Sequence, residues 1–188
     1  MSEDQSYSIG KATDKDVALA LSLRKKLFHH MGVPDEALLD TVDDVLFKLY
    51  KAAYLRGEMV HFIAYDENRN PAAIAGALLK RDFPYLLFKP GVYGWIIDVY
   101  TEPAHRGKRL ATKLLELTHN WLRECGVQEA KLISAGADAR RLYQRIGYRS
   151  TWEMSFNLAG MPTYNEMMDV RGENPLDPPQ HIKKEKDL

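Results

Sequence analysis

One cysteine in 188 residues, Cys125, leaves no internal disulfide to form, and its phase on an expected helix reads as inert packing in a reducing cytoplasm. Lys plus Arg equals Asp plus Glu at 26 each. No global field therefore draws the chain to nucleic acid or to a membrane surface, and neither partner is expected. No run approaches the ~20 apolar residues of a membrane-spanning helix. The opening MSEDQSYSIGKATDKDVALA lacks the uninterrupted apolar stretch of a secretory signal, so the mature chain is expected to start here. The six histidines form no HExxH and no compact ligand set, which argues against a metal site. The glycines of GxGxxG are missing and so is GxxxxGK[ST], which excludes the two common nucleotide-phosphate loops.

What is present is an alternation of helical and strand-like patterns. Tyr7 to Ala12 suits a short strand, and Thr13 with Asp16 three residues on suits a capped helix start. Val17, Ala20, Leu21, Arg24, Leu27 and Phe28 share one helical face, and Gly32 with Pro34 closes that helix. A second helix from near Asp35 is expected to bury Leu38, Val42, Val45, Leu46, Leu49 and Ala53. After Gly57 the period changes to strands at Met59 to Asp66, Ala72 to Arg81 and Gly94 to Thr101, with an aromatic loop from Phe83 to Tyr93 before the last. Leu110, Leu114, Leu117 and Trp121 mark a third helix, stopped by Gly126. A strand at Val127 to Ser134, a helix at Asp138 to Ile146 closed by Gly147, and a strand at Tyr148 to Leu158 complete one domain, 1–158. From Ala159 periodicity fades and prolines gather, so 159–188 reads as a C-terminal tail, partly disordered or docked through Met167 and Met168.

The stretch EPAHRGKRLATKLL sets four cations, Arg106, Lys108, Arg109 and Lys113, around a helix start. Cations there oppose the helix dipole by ~0.3 to 1 kcal/mol each. A strand end, a turn and a helix N-terminus also gather unpaired backbone N–H groups, which together with Gly107 make anion-binding geometry.

VYTEPAHRGKRLATKLL resembles the central motif of the GNAT superfamily of N-acetyltransferases, VxxxPxxRGxGxG/A followed by an amphipathic helix, and LYQRIGY is similar to that family's LYxxxGF/Y. The resemblance extends over the order of elements from Tyr7 to Leu158 and is nearest to uncharacterised bacterial members, including a late EM at Glu153 and Met154. It implies an α/β (α+β) fold: a mixed, mostly antiparallel central sheet with helices on both faces and a splayed pair of central strands. It implies acetyl-CoA as co-substrate, with the pyrophosphate on the backbone amides of Arg106, Gly107, Lys108, Arg109, Leu110, Ala111 and Thr112. The pantetheine arm would pair along Val99, Tyr100 and Thr101. Two positions depart from the pattern: Arg109 stands where glycine is usual, and Gly136 where a polar residue is common.

By the same resemblance, a backbone N–H near Val99 would face the thioester oxygen and Tyr143 would be the acid for the leaving thiolate. Tyr143 also falls on the i, i+3, i+4, i+7 row of Ala139, Leu142 and Ile146, a core pattern. Asp98 is a candidate base that a structural role would equally explain; Glu102, Glu153 and a water relay are alternatives. His29 and His30 are placed in the connection overhanging the acceptor side, where solvated loop histidines are the simpler reading. The function implied is transfer of acetyl from acetyl-CoA to a primary amine, small or peptide, by direct attack, in a possible homodimer. A catalytically silent CoA-binding sensor and an interaction subunit using the tail remain as other readings.

Overall fold

Thr13 opens the helical part of the chain. Its hydroxyl accepts from the Lys15 N–H at 3.3 Å while Asp16 Oδ2 accepts from the Thr13 N–H at 2.8 Å, the reciprocal cap expected from the sequence. The capped turn Asp14–Asp16 runs directly into α1, Val17–His30. The structure, a computed structural model, describes residues 6–33, 40–84, 91–134 and 136–151. The chain divides into two units, Met1–Leu132 and Ile133–Leu188.

The first unit holds α1, α2 (Asp40–Leu55) and α3 (Leu110–Glu124), and the second holds α4 (Ala137–Arg145). All four α-helices among the described residues end alike: a glycine takes positive φ, and the residue after it reaches back five positions, as Val33 N–H does to Phe28 O and Tyr148 N–H to Tyr143 O, both at 3.0 Å.

The sheet runs β1 (Ser8–Lys11), β2 (Met59–Tyr65), β3 (Pro71–Arg81), β4 (Val92–Thr101), β5 (Ala130–Lys131), in that spatial order. Every pairing is antiparallel except β4 with β5. Alternation turns Met59, His61 and Ile63 of β2 and Ile74 and Leu78 of β3 toward α1 and α2. The opposite face, with Val60, Ala73, Ala75 and Ala77, is covered by α3, whose Leu110, Leu114, Leu115, Trp121 and Leu122 are buried. Each such leucine contributes ~1.5–3 kcal/mol. Gly94 makes room for this helix, because a Cβ there would stand 2.5 Å from Leu122 Cδ1.

Five sequence expectations change. The strand read over Val127 to Ser134 contracts to Ala130–Lys131, because a strand needs a partner and β5 meets β4 only at Gly94 and Trp95. In α2, Val45 and Leu49 are 56% and 58% exposed, while Tyr50 and Ala53 are buried; the helix is rolled to bring the Tyr50 hydroxyl onto Asp98. Cys125 is exposed, sitting beyond the last turn of α3 where the helical phase no longer applies. His29 and His30 belong to the last turn of α1, not to the connection after it. Residues 148–151 form no strand, and the rest of the strand to Leu158, with Glu153 and Met154, lies outside the described residues. So do the start of the second helix near Asp35, most of the Phe83 to Tyr93 loop and the whole tail from Ala159.

Candidate active site

β4 leaves the sheet at Thr101 and the chain reaches α3 through a tight turn at Pro103–His105. Arg106 is extended, and its Nε donates to the Thr101 carbonyl at 3.1 Å, tying the loop to the strand end. Gly107 follows at φ 79. Arg109 then takes the left-handed conformation at φ 58, ψ 20 and starts the helix from there. The arginine thus adopts the backbone a glycine would supply at this position, with its side chain exposed. The first bond of the helical ladder runs from Lys113 N–H to Arg109 O at 3.1 Å, so the N–H groups of Leu110, Ala111 and Thr112 precede the ladder and point out of the helix end. Tyr7 braces the turn: its hydroxyl and His105 Nδ1 are 2.9 Å apart, and Lys108 Nζ lies 5.6 Å from its ring centre.

Beside this helix start, one edge of β4 has no strand partner among the described residues. One side of Tyr100 and Thr101 is registered against Ile74 and Ala73 of β3. On the other side β5 pairs with Gly94 and Trp95 alone, so among the described residues β5 leaves the stretch through Val99, Tyr100 and Thr101 unmatched. Backbone donors and acceptors along such an edge can pair with an extended, amide-bearing ligand.

Between Ile97, opposite Gly76, and Tyr100, opposite Ile74, β4 holds two residues where β3 holds one. This is a β-bulge, with Asp98 at φ 56. The bulge reverses the parity of the strand. Asp98 points to the same side as Ile97, into a buried cluster drawn from α1, α2 and β2. Arg24 pairs with Asp98 Oδ1, while Tyr50 O–H donates to Oδ2 at 2.6 Å and His61 Nε2 lies 2.9 Å from the same oxygen. The Tyr54 hydroxyl and His61 Nδ1 are 2.6 Å apart, and the Tyr50 and His61 rings stack at 5.7 Å.

The side chains of His61 and Asp98 are fully buried, and that of Arg24 is 27% exposed. Burial pushes the Asp98 carboxyl up, but the His61 hydrogen bond and charge, the Arg24 guanidinium and the Tyr50 hydroxyl outweigh it and hold it down at about 2. Burial first, and Asp98 second, raise the Tyr50 and Tyr54 phenols, so both remain proton donors.

Glu102, another carboxylate considered as a base, accepts from Lys26 Nζ at 2.5 Å and from Tyr100 O–H at 3.1 Å. His30 has its ring 6.5 Å from that of Tyr100 and is exposed. Among the described residues no three His, Cys, Asp or Glu side chains are grouped to hold a metal ion. No described helix is long and apolar enough to cross a membrane.

In the second unit Tyr143 is buried, packed edge-on to Tyr148 at 5.6 Å. Burial raises its phenol to about 12. Gly136, ahead of α4, has φ 86 and ψ 152, a region essentially restricted to glycine. That backbone is the reason a polar side chain is absent there.

Arg24, Tyr50, Tyr54 and His61 were not among the residues expected at the site. The signals were present: Arg24 sits on an apolar helical face, His61 interrupts the apolar strand MVHFIAY, and Asp98 interrupts GWIIDVY. Three polar residues on buried faces must find one another.

The family model described as acetyltransferase (GNAT) family matches residues 26–148. The fold is similar to a predicted acetyltransferase from Clostridium acetobutylicum, crystallised with acetyl-CoA, at 28% identity and TM-score 0.75 over 81% of this chain and 97% of that one. It is similar to a GCN5-related N-acetyltransferase from Ralstonia eutropha at 23% identity and TM-score 0.72, over 82% and 100% of the two chains. It is also similar to glucosamine-6-phosphate N-acetyltransferase from Arabidopsis thaliana at 19% identity and TM-score 0.60, over 81% and 99%. No curated protein matches the sequence. With two thirds of its length under the family model and its sheet, bulge and helix start arranged as described, the chain belongs to the GNAT acetyltransferase family.

Proposed function

We propose that the protein moves the acetyl group of acetyl-CoA to a primary amine by direct attack. The observation that carries this reading is the juxtaposition of the β4 edge left unmatched at Val99 to Thr101 with the helix start after left-handed Arg109. The edge suits the two amides of a pantetheine arm. The N–H groups of Leu110 to Thr112, with Gly107 allowing close approach and Arg106, Lys108 and Arg109 around them, suit its pyrophosphate.

The amine nitrogen attacks the acetyl carbon and the carbonyl electron pair moves onto oxygen, where the Val99 N–H at the bulge receives it. The tetrahedral species then collapses, the C–S bond breaks, and the electron pair leaves on the CoA sulfur. Water accepts the proton of the attacking amine. Asp98, ionised down to about 2 and already taking three donors, is too weak a base for that step. Tyr143 supplies the proton to the thiolate. From a phenol at about 12 to a thiol near 8.5 the transfer is uphill by ~3.5 units, or ~5 kcal/mol. That lies within the ~16 kcal/mol barrier of ten turnovers per second.

Calorimetric titration with acetyl-CoA tests the donor assignment. Micromolar binding to the intact protein that collapses in Arg106→Ala combined with Gly107→Ala supports it, and absence of binding overturns it. Tyr143→Phe is then expected to lose turnover on any amine the wild type accepts while keeping its acetyl-CoA affinity.

A further inference from the structure

A residue at φ 56 that is not glycine costs ~1–3 kcal/mol and persists only when its surroundings over-determine it. At Asp98 the surroundings do so from three separate elements. Arg24 comes from α1, Tyr50 and Tyr54 from α2, and His61 from β2. A fourth element makes room: at Gly76 of β3, opposite Ile97, a Cβ would stand 2.2 Å from His61 Cδ2 and 2.7 Å from the Val60 carbonyl. Only glycine lets the imidazole lie against the strand at the point where the bulge begins.

Stability alone does not account for this arrangement. Buried ion pairs generally do no better than well-packed apolar side chains of similar volume. What the charged cluster adds is direction, since three donors on two carboxylate oxygens fix the Asp98 side chain in position. Through it they fix the peptide that joins Asp98 to Val99.

We infer that Arg24, His61 and Asp98 are positioning residues, a buried clamp that holds the bulge of β4 so that the Val99 N–H is aimed at the thioester oxygen of the bound acetyl donor. This inference rests on the acetyl-CoA reading above. The clamp touches neither donor nor amine; it acts through one peptide plane. Because misplacement by ~1 Å can cost ~10²-fold in rate, loosening the clamp is expected to reduce kcat by about that factor. KM and Kd for acetyl-CoA should change far less, because the phosphate loop is held separately by Arg106 and Tyr7.

The test is the infrared carbonyl stretch of acetyl-CoA labelled with ¹³C at the thioester carbon, bound to the full-length protein. In the wild type a hydrogen bond from Val99 lowers the frequency below that of free acetyl-CoA. In Asp98→Asn, which keeps the shape of the side chain but loses the ion pair, the band is expected to return toward the free position with Kd within about threefold. Arg24→Lys, which restores a cation, should recover part of the shift that Arg24→Gln loses. Tyr50→Phe removes one donor and leaves the ion pair, so it keeps the test open if Asp98→Asn fails to fold; an intermediate band is expected.

A folded Asp98→Asn, Arg24→Gln or Tyr50→Phe variant that binds acetyl-CoA and keeps the full wild-type shift overturns the clamp while leaving the acetyl-CoA reading intact. A wild type that binds no acetyl-CoA overturns the reading itself and the clamp with it. A wild type that binds the donor with no shift overturns the clamp alone.

Discussion

Asp98 and Arg109 have nearly the same backbone, φ 56 and φ 58, on one passage of chain from β4 into α3, and they keep it by opposite means. Arg109 is exposed, makes no side-chain cap, and holds its left-handed backbone at the start of α3 with no side-chain hydrogen bond from another element among the described residues. Asp98 is buried and is left-handed because four side chains from other elements converge on its carboxylate or on its histidine partner. The comparison separates two ways of placing backbone N–H groups. Local chain geometry suffices where solvent can satisfy what the protein does not. In the interior, long-range charge is required, because an unpaired group there costs several kcal/mol.

The sharpest way to break the comparison is to remove each side chain. Asp98→Ala leaves Arg24 and His61 facing an empty place and is expected to cost ~3–5 kcal/mol in urea unfolding, whereas Arg109→Ala should remain within ~0.5 kcal/mol. Gly76→Ala acts on the buried region alone, driving a methyl into His61 and the Val60 carbonyl; a loss of ~1–3 kcal/mol in the same assay is expected.

Acid gives a third separation. Asp98 is ionised down to about 2 in the fold and to ~3.9 in the unfolded chain. Its contribution is therefore complete above pH ~5 and disappears as the pH falls toward 2, a loss of ~2 kcal/mol. Unfolding free energies of wild type and Asp98→Asn measured across that range should converge toward the acid end. A modest gain is expected of Arg109→Gly, which relieves a left-handed residue at an exposed site and should raise stability by up to ~1 kcal/mol.

The same contrast explains what could be read from the sequence. Helix ends were legible because each is written locally: Gly32, Gly57, Gly126 and Gly147 all stand two residues past the last helical residue and close the helix. The turn and helix start that we propose hold the pyrophosphate are local in the same way, since Arg106 to Thr112 are consecutive. The buried cluster was not, because it joins residues 24, 50, 54, 61 and 98, and no spacing rule connects them. The bulge hid it further. Strict alternation sends Asp98 and Ile97 to opposite faces, and one inserted residue brings them to the same one. On α2, Ala53 is buried and Leu46 packs against the core as hydrophobicity suggests, but Val45 and Leu49 face outward and Tyr50, bonded to Asp98, takes the inner side.

The brevity of β5 grades the sheet in time as well as in space. β2 is flanked on both sides from Phe62 to Tyr65 and β3 from Ala73 to Leu78, while Ala130 and Lys131 contribute only two residues of pairing. Amide protons should therefore exchange with deuterium slowest in β2 and β3 and fastest at β5. Among the described residues, the border where β5 stops matching β4 is then where the sheet is expected to open at least energetic expense.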